Sequence, residues 1–162
     1  GDTLYISIKE HTNIDPTRTI RYRLKMQKLT GLEISGVGNA NVGEVQTDSL
    51  DVLISGVGSV KIESLQADTL SVELSGAGNC DVKAGQVQRQ KINLSGAGSY
   101  DAPDLQSETA DINTSGAGGA EVWVTETLDV QLSGVGSVRY YGQPSVSQSV
   151  SGVGNVKSLG DH

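Results

Sequence analysis

A chain of 162 residues is the length of one ordinary domain, and with 21 Gly, three Pro, one Trp, one Met and no Phe its interior must be filled by small and β-branched side chains. The formal charge of −7, with only 12 scattered Lys and Arg, excludes a nucleic-acid partner, because neutralising phosphates needs a clustered basic face. The sequence offers no transmembrane run of about 18 apolar residues and no basic-then-apolar signal peptide at Gly1-Asp2-Thr3, and its single Cys80 excludes an intramolecular disulfide.

The first elements are two alternating segments, residues 4–8 (Leu-Tyr-Ile-Ser-Ile) and 20–26 (Ile-Arg-Tyr-Arg-Leu-Lys-Met), around a turn at Asn13-Ile14-Asp15-Pro16. The alternation predicts that residues 1–30 form opening strands and an N-terminal cap. The rest of the chain is a repeat. Ser-Gly-Val/Ala-Gly recurs from Ser35, Ser55, Ser75, Ser95, Ser115, Ser133 and Ser151, at spacings of 20, 20, 20, 20, 18 and 18. Near-constant spacing marks one structural unit stacked on the last, with length differences absorbed in a loop.

Before each serine, apolar residues alternate with polar ones, as in Val52/Ile54, Val72/Leu74, Ile92/Leu94 and Val130/Leu132. After the glycines the alternation resumes, with Val60/Ile62, Cys80/Val82, Tyr100/Ala102 and Ala120/Val122 facing one way and Lys61, Asp81, Asp101, Glu121 and Arg139 the other. Each unit is therefore predicted to hold two short strands, a glycine corner, and a variable turn such as residues 63–68. Units this short leave no room for a crossover helix, so the chain must coil.

The predicted fold is all-β: a single-stranded right-handed parallel β-helix of about seven to eight coils of 18–20 residues, in one domain spanning 1–162, with repeat coils over 31–156. Gln148 interrupts an apolar ladder and residues 157–162 are polar, so the solenoid is expected to close there. The residue between the paired glycines (Val37, Val57, Ala77, Ala97, Ala117, Val135, Val153) reads as a small inward ladder. The adjacent ladder (Asn39, Ser59, Asn79, Ser99, Gly119, Ser137, Asn155) reads as side chains satisfying corner backbone groups.

The repeated Leu-x-Leu-Ser-Gly-x-Gly-x-Val pattern over residues 29–159 and the ending Ser-Val-Ser-Gly-Val-Gly-Asn-Val-Lys resemble the head GIN domain of the auto-transporter adhesin family; residues 2–8 resemble that family's lead into its solenoid. The resemblance implies a β-helix in a secreted or envelope-anchored bacterial protein, often of gut Bacteroidetes-like organisms, with adhesion as its role. It carries over no catalytic residue.

The Gly-x-Gly copies lack the helix-opening context of a dinucleotide loop and the Gly-Lys-Ser/Thr of a P-loop. Nor do they keep the nine-residue period of calcium-binding β-rolls. No cofactor is expected. Three carboxylates, Asp81, Asp101 and Glu121, fall on one outward ladder, where they could repel or share a cation, although a solvated surface flanked by Lys61 and Arg139 accounts for them without a metal. Trp123 and Tyr141 sit one position further along in consecutive coils and are candidate ligand-binding rings. The only histidines are His11 and His162, so no Ser-His-Asp arrangement is expected, and Cys80 reads as an inert core residue.

These features point to a non-catalytic envelope or secreted module presenting flat faces to a glycan or surface protein. The alternatives are a polysaccharide lyase or hydrolase working through the carboxylate ladder, and a structural spacer or homo-oligomerisation element.

Overall fold

The computed structural model describes residues 3–7 and 20–162. Among the described residues eleven strands succeed one another: β1 (Gly31–Ile34), β2 (Val37–Gln46), β3 (Ser49–Ile54), β4 (Val57–Leu74), β5 (Ala77–Val82), β6 (Gly85–Leu94), β7 (Ala97–Thr114), β8 (Ala117–Leu132), β9 (Val135–Tyr141), β10 (Ser145–Val150) and β11 (Val153–Gly160). They form one continuous sheet wound on itself. No helix among the described residues is long and apolar enough to cross a membrane.

The repeat sets the register. Val37 pairs with Val57, Val57 with Ala77, Ala77 with Ala97 and Ala97 with Ala117, all parallel, an offset equal to the 20-residue spacing of the motif. The offset drops to 18 where the motif does, with Ala117 on Val135 and Val135 on Val153. Seven corners bound about six turns, a little fewer than the seven to eight coils expected, since residues 20–30 add no strand.

The segment 63–68, expected as a turn, lies inside β4 and pairs on both sides, with Val45 beside Leu65 and Leu65 beside Gly85. Leu65 is fully buried, so this side needs an apolar side chain as much as the others do, and the coil has three sheet-forming sides rather than two. The core runs along the axis as ladders: Val52, Val72, Ile92, Ile112 and Val130 on one side; Val60, Cys80, Tyr100, Ala120 and Val138 on the next. Each fully buried Leu or Ile contributes roughly 1.5–3 kcal/mol.

One ladder is reversed from expectation. Val37, Val57, Val135 and Val153 are exposed, Val37 to 89 %. Period-two alternation runs unbroken through the corner, so inward-facing Ala40 and Val42 place Gly38 on the inner parity and Val37 outside. The glycines are needed for stacking. Val57 N–H donates to Gly36 O at 2.9 Å and Ala77 N–H to Gly56 O at 3.0 Å, drawing the coils so close that a Cβ on Gly56 would run into the Gly36 carbonyl oxygen. The Asn ladder does satisfy backbone groups, but across coils: Asn39 Oδ1 accepts from Ser59 N–H at 2.9 Å and Asn79 Oδ1 from Ser99 N–H at 3.1 Å.

Only part of the expected N-terminal cap falls among the described residues. Residues 3–7 and 20–26 form no strand; Tyr5 is 83 % and Tyr22 63 % exposed. Their alternation is that of a half-buried strand, but no strand among the described residues pairs with them, and without a partner the pattern alone does not bury them. Ile8, His11 and the turn at 13–16 lie outside the described residues. At the other end the solenoid runs further than expected, β11 continuing to Gly160.

The core holds one buried polar pair. Tyr100 Oη donates to Gln90 Oε1 at 2.6 Å, and Gln90 Nε2 reaches Leu105 O at 3.5 Å, all at full burial. Thr114 stands between Leu94 and Leu132 in an apolar ladder, its Oγ1 buried without a partner. Tyr100→Phe is expected to cost about 1–3 kcal/mol by orphaning the Gln90 carbonyl. Tyr100→Phe/Gln90→Leu should recover part of that loss in urea titrations, whereas additive losses would show that the hydrogen bond is not what matters.

Candidate binding surface

Where the repeat shortens from 20 to 18 residues, β7 and β8 fall out of step. Ala102 pairs with Val122 and Gln106 with Trp123, leaving residues 103–105 without opposite numbers. The excess chain turns Leu105 into the core and leaves Asp104 at the surface, its side chain 59 % exposed. Trp123 comes directly after, partly buried, its backbone carbonyl accepting from Ser107 Oγ at 2.9 Å. On the next coil Tyr141 pairs with Trp123 and ends β9, and Gly142, at φ +94°, turns the chain away.

The end of β11 returns to this spot. Its pairing with β9 slips between Ser158 and Gly160; Gly160, at φ +95°, accepts through its carbonyl from Gly142 N–H at 2.9 Å, and Gln143 Nε2 donates to Asp161 Oδ1 at 2.9 Å. His162 is thereby laid flat on Trp123, ring centroids 4.0 Å apart and planes 8° from parallel, with Tyr141 edge-on at 5.3 Å. Its Nε2 lies 2.9 Å from Asp104 Oδ1, and because a carboxylate only accepts, that nitrogen carries the proton. The patch thus offers a stacking face, an edge ring and a carboxylate beside them.

The adjacency of Trp123 and Tyr141 matches expectation. Asp104 and His162 are members of this cluster that sequence reasoning misses. The only signal for Asp104 is the shortened repeat, and His162, 39 residues after Trp123, carries no sequence signal of contact.

The carboxylate ladder also assembles in the expected register, Asp81 beside Asp101 and Asp101 beside Glu121, with Lys61 and Arg139 at its ends. Glu121 and Asp101 have other partners. Arg139 meets Glu121 at 2.6 Å, Ser99 Oγ donates to Asp101 Oδ2 at 2.6 Å, and Lys61 turns to Glu63 at 2.7 Å. Among the described residues no group of three or more His, Cys, Asp or Glu is arranged to hold a metal ion. Beneath the ladder, burial pushes the Cys80 thiol up to about 12, with the Asp81 and Asp101 charges adding to the effect, so it stays protonated and unreactive at neutral pH. A groove of about 400 Å³ along the rod is lined by amides and hydroxyls, among them Asn93, Asn113, Gln131, Ser115 and Ser133, with no acid or base in its wall.

The fold is that of a parallel β-solenoid domain, whose surface carries a cluster of three rings, a salt-bridged charge ladder and a groove lined largely by amides and hydroxyls. The chain is a member of the family described as putative auto-transporter adhesin, head GIN domain, whose profile matches residues 1–144. It is similar to a crystal structure of a putative adhesin from Bacteroides fragilis, with 33% sequence identity and a TM-score of 0.78, the match covering 81% of this chain and 61% of that one. The chain therefore spans less than two thirds of that adhesin. No curated protein matches the chain.

Proposed function

We propose that this domain is a non-catalytic adhesive module acting at the cell envelope or outer surface, and that it holds a sugar ring of a glycan on Trp123 and Tyr141. The observation that carries this is the ring already seated there, stacked at 4.0 Å with its edge N–H on Asp104. A pyranose presents the same two features, an apolar C–H face for the indole and edge hydroxyls that donate to a carboxylate. Membership of an adhesin family and likeness to an adhesin structure support the binding role. The ladder of Asp81, Asp101 and Glu121 serves in this proposal as solvated surface charge, with Glu121 engaged by Arg139 and Asp101 by Ser99.

The test is a glycan array on the domain, with each hit titrated against Trp123→Ala. Loss of a stacking anchor is expected to weaken binding at least about tenfold. Glycan binding that survives Trp123→Ala unchanged would overturn this assignment, and capture of a surface protein instead of any glycan would replace the ligand class.

A second proposal, self-association, is favoured by the exposed ridge of Val37, Val57, Val135 and Val153 along the rod. Sedimentation showing a monomer at all concentrations would remove it.

A further inference from the structure

The contacts of residues 158–162 say more than that a ring fits on Trp123. We infer that in the free protein the site is closed by the chain's own His162, and that a glycan enters by displacing it, an intramolecular competition that rests on the glycan-binding proposal above. Four contacts place the tail there: the parallel stack on Trp123, the edge contact with Tyr141, the Nε2–Asp104 pair, and the Gln143–Asp161 hydrogen bond that steers the last residues inward. Together they occupy the stacking face of Trp123 and the carboxylate beside it, the two groups a sugar ring would use.

The same contacts are built to release. His162 and Asp104 keep side-chain exposures of 30% and 59%, and Gln143 and Asp161 are exposed, so water competes for every polar contact in the closure. The strand pairing of β11 slips between Ser158 and Gly160 and ends at Gly160 beside Tyr141, so Asp161 and His162 can lift without unzipping the coil beneath them. Gly160, at φ +95°, is the point where the chain turns from sheet to patch.

A site blocked part of the time binds its ligand more weakly in proportion to the fraction that is open. For one ring stack and one exposed hydrogen bond, removing the block predicts a gain of roughly three- to tenfold in affinity.

Trp123 is the only tryptophan, so its fluorescence reports the site directly. The experiment titrates cellohexaose, chitohexaose and the strongest array hit into wild type, His162→Ala, His162→Phe and Trp123→Phe/His162→Ala, following Trp123 emission where the indole is present and calorimetry throughout. The expected result is a rise in Trp123 emission on His162→Ala without ligand, a three- to tenfold tighter sugar in that variant, and wild-type or weaker affinity in His162→Phe, which keeps a stacking ring. Equal affinity in wild type and His162→Ala, with binding still dependent on Trp123, would overturn the closure and leave the glycan site standing. Absence of any sugar response in both wild type and His162→Ala would overturn the glycan site and the closure with it.

Discussion

Gly78→Ala is expected to destabilise the domain by at least about 3 kcal/mol, while Gly38→Ala, at the same place in the same motif, changes stability by less than about 0.5 kcal/mol. The difference lies in what stands behind each residue. A Cβ on Gly78 would collide with the carbonyl oxygen of Gly58 and close on that residue's carbonyl carbon, whereas a Cβ on Gly38 meets nothing within 4 Å because its coil is the first to carry the corner. The atom in the way is backbone, so no rotamer change relieves the clash. Either the corner opens or the hydrogen bonds beside it stretch, such as Ala77 N–H to Gly56 O at 3.0 Å and Ala97 N–H to Gly76 O at 2.9 Å. Because each coil is held only by its neighbours, opening one corner in the middle weakens both interfaces. Urea midpoints at unchanged m-value would read this directly. Similar losses for the two variants would mean that the glycines serve chain flexibility and not stacking.

That contrast also shows why so much of the fold is legible. In a solenoid the pairing register is the repeat length, so the positions of seven serines predict which residue lies beside which, down to Trp123 on Tyr141 and Asp101 between Asp81 and Glu121. What misleads is local. Val37 and its equivalents are apolar, which suggests the inside, yet the parity of Ala40 and Val42 already puts them outside. The segment 63–68 is polar enough to read as a turn, but Leu65 within it fills the third side of the core. Residues 4–8 and 20–26 have a strand's alternation, and alternation states only what a strand would bury if a partner were supplied.

The binding patch divides the same way. Trp123 and Tyr141 derive from the repeat, whereas Asp104 depends on three residues that slip out of register and His162 on the segment that folds back after β11, and neither has a period to reveal it. Departures from the repeat are therefore the place to look: the step from 20 to 18 residues is where this otherwise uniform rod acquires a distinct surface.

Raising the pH from 9 to 12 is expected to remove roughly 3 kcal/mol of stability through Cys80 alone, the slope approaching about 1.4 kcal/mol per pH unit midway. The thiol ordinarily ionises near 9.0 and in the folded chain is pushed up to about 12, by burial first and by the Asp81 and Asp101 charges second. Below pH 9 both folded and unfolded chains hold the proton, and the native state keeps its full stability. Between the two values the unfolded chain releases a proton that the native chain retains, so unfolding is favoured progressively as the pH rises. Tyr100, beside Cys80 on the next coil, acts in the same sense from about pH 10 upward, since full burial, the neighbouring Cys80 and the Asp101 charge hold its phenol well above the usual range. Both groups sit directly under the acidic ladder, so negative charge on the surface helps to keep the core neutral. Urea titrations from pH 7 to 11 should show stability level to about pH 8.5 and then falling, with a shallower fall in Cys80→Ala and, at the upper end, in Tyr100→Phe. Those variants lower stability at pH 7 by loss of packing or of the Gln90 hydrogen bond, but only the slope reports ionisation, which separates the two effects. An unchanged slope in Cys80→Ala would show that water or a shift of the coil reaches the thiolate, and that the ladder of Val60, Cys80 and Tyr100 is less dry than its burial implies.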